Sequence, residues 1–82
     1  MNKCTQKVLI DYVEQHDLCM RMYGMGACDE KELTQGLDKV RSDTENKLIN
    51  LSYERVEALL LMAQAMKDRA ELMNFYQGGI YE

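Results

Sequence analysis

The sequence predicts an all-α fold, a helical hairpin with a long C-terminal helix that is expected to dimerise. Three observations carry this. The 82 residues include no proline, and the chain is rich in Leu, Ala, Met, Glu, Lys and Gln, which lose little side-chain freedom in a helix. Apolar residues recur at spacings of three and four through most of the chain, the signature of helices with covered faces. One short stretch, residues 24–29 (GMGACD), has the glycine-rich composition of a connection.

Residues 3–23 read as the first helix. Leu9, Val13, His16, Met20 and Tyr23 fall on one stripe, flanked by Val8, Tyr12, Cys19 and Met22. Asn2 or Thr5 can cap its start, and Gly24 is the expected stop, because glycine readily takes the left-handed conformation that ends helices. The loop closes on Asp29, with Glu32 three residues later in the arrangement of a capping box.

From about residue 30 to 77 the pattern reads as one helix. Leu33, Leu37, Val40 and Thr44 run in phase into Leu48, Leu51 and Arg55. Unbroken, it would span roughly 70 Å. The alternative is a compact three-helix bundle with a break near residues 42–46, where Ser42-Asp43-Thr44-Glu45 resembles a second capping box. Gly36 also weakens the helix, by about 1 kcal/mol relative to alanine. Gly78-Gly79 is expected to end it, leaving a short tail at 78–82. The whole chain, 1–82, reads as a single helical domain.

The most apolar part of the long helix carries two seams. The first is Ile49, Ser52, Val56, Leu59, Ala63, Met66, Ala70 and Met73; the second, one position over, is Leu48, Leu51, Arg55, Ala58, Met62, Ala65, Arg69 and Leu72. Two adjacent stripes require cover from two directions. A first helix of roughly 30 Å reaches only to about residue 50, so the rest must fold back or meet another chain.

Composition narrows the function classes. The formal net charge is −4, without the basic excess typical of nucleic-acid binding. The longest apolar run, Ala58–Ala63, is far too short for a membrane span, and the first residues lack a signal-peptide pattern. A cytoplasmic location is therefore expected, with Cys4, Cys19 and Cys28 as free thiols. His16 and Cys19 could reach one ion, but Cys4 and Cys19 lie roughly 22 Å apart along one helix, so no metal site is expected. A Cys–His nucleophile is disfavoured by Asp11, Glu14 and Asp17, which raise a thiol pKa. No cofactor site and no enzymatic activity are expected. His16 is read as a helix-seam residue with a hydrogen-bond partner, and Cys19 as a small core residue.

Two features remain as candidate binding surfaces. Arg41, Arg55 and Arg69 stand fourteen residues apart and would line up on a continuous helix, as a stripe for phosphates or an acidic partner. The competing expectation is that their heads pair with Glu45, Glu54 or acids of a neighbouring helix. A helix-turn-helix over residues 30–60 lacks the basic recognition helix that such a motif needs. The other feature is the first seam, where small residues alternate with leucine and methionine. Ile49, Val56, Leu59, Ala63, Met66, Ala70 and Met73 form the expected self-association or partner face. The sequence thus points to a small regulator, adaptor or inhibitor, of the sort that phages and mobile elements encode. It would act through a helical surface, as a homodimer or higher oligomer, on another protein. Nucleic-acid or nucleotide binding through the arginines is the alternative.

Overall fold

The computed structural model describes the backbone of residues 2–81 and the side chains of residues 2–73. The chain is all-helical, with three helices: α1 Lys3–Gly24, α2 Glu30–Asn50 and α3 Arg55–Tyr81. Asn2 caps α1 by accepting from the Thr5 N–H at 2.8 Å. Asp29 and Glu32 form the complete capping box at the start of α2, with the Asp29 carboxylate accepting from Glu32 N–H at 2.8 Å.

The long second helix does not form. It breaks at residues 51–54, not at 42–46, and Ser42-Asp43-Thr44-Glu45 lies inside α2. The physical cause is a Schellman motif. Ser52 takes a left-handed conformation (φ 76°); its N–H donates to Ile49 O (3.0 Å), and Tyr53 N–H donates to Leu48 O (3.2 Å). These bonds satisfy carbonyls that the helix end would otherwise leave open. Tyr53 then packs on the same core as Leu48, the apolar contact that accompanies this motif. Beyond it, the Glu57 carboxylate accepts from Glu54 N–H at 3.1 Å, which starts α3.

The connection from α1 to α2 uses the same device. Ala27 N–H donates to Met22 O (2.9 Å) and Gly26 N–H to Tyr23 O (3.1 Å). The left-handed residue is Gly26 (φ 77°); Gly24, the expected stop, is still helical. Serine at the equivalent position of the second motif carries a Cβ that glycine lacks. Ser52→Gly is accordingly expected to stabilise the fold by up to about 1 kcal/mol, read as a higher urea midpoint at unchanged slope.

Gly78-Gly79 does not terminate α3, which runs on to Tyr81, so the expected tail at 78–82 is mostly helix. The side chains of Ile80, Tyr81 and Glu82 lie outside the described residues.

The core is small. Leu9, Tyr12, Leu48, Ala58 and Met62 are its buried apolar members, with Val8, Val13, Val40, Tyr53, Leu61, Ala65 and Met66 packed around them. Thr5, fully buried, shares a 3.2 Å hydrogen bond between its hydroxyl and that of Tyr53, tying the start of α1 to the α2–α3 connection. Thr5 meets Tyr53 and Asp17 meets Arg69, so α1 and α3 run in the same direction. Gly36 faces α1; a Cβ there would stand 3.4 Å from Cys19 Sγ. The molecule is flat, 42 × 34 × 18 Å, with a radius of gyration of 14.3 Å, against about 12 Å for a compact chain of this length.

Candidate interaction surface

The break decides which seam is covered. It turns α3 back beside α1, so the middle of the second seam becomes core: Ala58 and Met62 are buried and Ala65 half-buried, while Leu51 and Leu72 stay exposed. Leu48, from the same seam, is fully buried at the end of α2. The first seam lies roughly 100° around the α3 axis and is mostly uncovered. Val56 is 67% exposed, Leu59 42% and Met73 44%, and Ala63 and Ala70 are exposed beside them. Met66 is half-buried and packs against the core. Ile49 is exposed but sits on α2, before the break, so it is not collinear with the others.

Glu57, Gln64, Lys67, Asp68 and Glu71 form a polar stripe on α3, and the two apolar seams fill most of the rest of its circumference. Leu60 is 65% exposed and Leu72 is exposed as well. Two adjacent apolar seams need cover from two directions; α3 has it from one. Next to the seam, His16 and Met20 of α1 line a shallow groove with Met66, Ala70 and Met73, and Asp17, Arg21 and Arg69 border it. Methionine side chains adapt to uneven partner surfaces. Periodicity could not reveal the α1 contribution from Met20, because it arises only once the break brings α3 alongside.

The three arginines do not form one line. Arg41 is on α2, while Arg55 and Arg69 are on α3, and the turn at Ser52 separates the two groups. Each meets an acid. Arg55 Nε lies 2.9 Å from Glu45 Oε1 across the break. Arg69 directs Nε (3.1 Å) and Nη2 (3.0 Å) at one oxygen of Asp17. Arg41 is only loosely paired with Asp38, at 4.0 Å. Such part-exposed pairs contribute about 0–1 kcal/mol each. Arg55 and Arg69 are thereby neutralised locally.

Cys4, Cys19 and Cys28 are free thiols. Partial desolvation, then the Glu32 and Asp29 carboxylates, push the Cys28 thiol above its ordinary value. The thiolate is the disfavoured form, so Cys28 is a poor nucleophile near neutral pH. Iodoacetamide labelling of Cys28 is expected to reach half its maximal rate at a higher pH in the folded chain than in urea; equal midpoints would contradict the local electrostatics. Among the described residues the buried Nδ1 of His16 has no hydrogen-bond partner, where one was expected, and its ring meets Tyr12 edge-on at 6.4 Å. Among the described residues no group of three His, Cys, Asp or Glu could hold a metal ion, and no helix is long and apolar enough to cross a membrane.

Fold and surface together define a three-helix chain with an uncovered apolar face on its last helix. It matches no family model, no curated protein and no solved structure.

Proposed function

We propose that this chain is a small non-enzymatic interaction protein, a regulator, adaptor or inhibitor, that presents the uncovered face of α3 and acts as a homo-oligomer on a protein partner. The observation that carries the reading is the run of exposed apolar side chains along one face of α3: Val56, Leu59 and Met73, with Ala63 and Ala70 between them and Leu60 on the shoulder. Isolated exposed apolar residues are ordinary, whereas a contiguous apolar strip on a helix marks a contact surface. Pairing of Arg55 and Arg69 with Glu45 and Asp17 engages two of the three arginines that a phosphate-binding stripe would use, which favours an apolar, protein-type contact.

Capture from native host lysate tests this, with the unmodified chain and a Val56→Asp/Leu60→Asp chain as baits. Both positions are largely exposed, so the double variant should keep its helical circular dichroism. The expected result is a protein, extra copies of the chain included, retained by the first bait and lost from the second. Identical retention by both baits would overturn the reading.

A further inference from the structure

We propose that the α3 seam is self-complementary, and that a second copy of this chain seats on it antiparallel, about a two-fold axis passing between Gln64 and Ala65. The proposal rests on the reading of α3 as a contact face and names its occupant. The seam residues Val56, Leu59, Ala63, Met66, Ala70 and Met73 are separated by three, four, three, four and three positions. That series reads the same in both directions. Two copies running antiparallel therefore bring every seam residue opposite another: Val56 opposite Met73, Leu59 opposite Ala70, and Ala63 opposite Met66.

The volumes match in this register. Leu59 and Met66 each face an alanine, and Val56 faces a flexible methionine. A parallel pairing would set Ala63 against Ala63 and Ala70 against Ala70, leaving thin layers, and would crowd Leu59 against Leu59. Helix interfaces fill evenly when large residues meet small ones. The three–four alternation is also the repeat by which two helices wrap around each other. Antiparallel pairing places the two helix dipoles in opposition, a favourable arrangement. Charge raises no obstacle. Lys67, on the outer shoulder of the seam, comes near Leu60 of the other copy, where its aliphatic stem covers apolar surface. Arg69 is already held by Asp17.

The surface area fits this occupant. The chain exposes 6345 Å², whereas a compact protein of 9.5 kDa would expose about 5,000 Å². The excess, roughly 1,300 Å², belongs to the whole flat molecule rather than to the seam alone, and it exceeds the about 800 Å² that each partner contributes to a standard stable interface. The same flatness that leaves the core small leaves enough surface for a second copy.

Cross-linking tests the register. Leu59→Cys and Ala70→Cys chains are prepared separately and treated, alone and mixed, with a short bismaleimide, and the bonds are mapped by peptide mass spectrometry with Cys4, Cys19 and Cys28 retained. In the antiparallel dimer residue 59 lies beside residue 70 of the other copy, but roughly 16 Å along the axis from that copy's residue 59, beyond the linker. The expected result is a 59–70 bond between chains in the mixture, with no 59–59 or 70–70 bond from either variant alone. Homologous bonds would overturn the antiparallel register and leave self-association standing. Absence of any bond between chains would overturn a second copy as the occupant; lysate capture that still depends on Val56 and Leu60 would then preserve the contact-face reading. Val56→Cys with Met73→Cys, both exposed positions, provides a second pair should the first disturb folding, which a cooperative melt detects.

Discussion

Leu48→Ala is expected to remove about 2–5 kcal/mol of stability, a large share of the total of an 82-residue chain, which is about 4–12 kcal/mol at typical values per residue. Leu48 is fully exposed to none of the solvent: its relative accessibility is 0%. It stands where all three helices converge, with Leu9 and Tyr12 from α1 and Ala58 and Met62 from α3 in the same cluster. Its carbonyl accepts from Tyr53 N–H at the break, so the residue that fills the core also anchors the turn that sends α3 back. A core this small has few neighbours able to relax into the cavity. The readout is a urea titration followed by circular dichroism, with a lower midpoint at unchanged slope. A loss below about 1 kcal/mol would mean that Leu48 is not the keystone the packing makes it.

The second large effect concerns association, and it reverses the usual logic of a leucine. Leu59→Asp is expected to cost the isolated chain little, because Leu59 is 42% exposed and aspartate lowers helix propensity by less than about 1 kcal/mol. Its effect on the oligomer should be severe, since a carboxylate would be buried against Ala70 of the second copy without a partner. The two consequences separate in a thermal melt. For the unmodified chain Tm should rise with protein concentration, as it must when folding is coupled to association; for Leu59→Asp it should not depend on concentration. Glu57→Ala, at an exposed position outside the seam, should behave like the unmodified chain. Met66→Asp should also abolish association, but with added loss of stability, because Met66 packs against the core.

Much of this was legible in the sequence, and the failures have identifiable causes. The stripe through Leu9 and its neighbours placed α1, and Asp29 with Glu32 placed the start of α2, because periodicity and capping are local signals. The break at 51–54 was hidden. A glycine announces a left-handed residue, and here Ser52 takes that conformation, stabilised by Tyr53 packing that depends on tertiary contact. Leu48, Leu51 and Arg55 happen to continue in phase across the turn, so the pattern gave no warning. Gly24 and Gly26 were both available to end α1, and composition could not say which would be left-handed. The two seams were visible as seams, but periodicity reports only that a stripe is apolar. Which one becomes core depends on the direction in which α3 returns, and that is set by the turn. Thr5 was missed as a core residue because its burial comes from the Tyr53 hydroxyl 48 positions away.

In the proposed assembly α3 keeps an apolar face for a partner, and the first such partner is a second copy of the chain. Sedimentation equilibrium of the unmodified chain over a wide concentration range distinguishes this assembly from a lone chain. The expected result is a mass that rises from that of a single 9.5 kDa chain to twice that value and stops there, while Leu59→Asp stays at the lower mass. A single-chain mass at every concentration for the unmodified protein would contradict it.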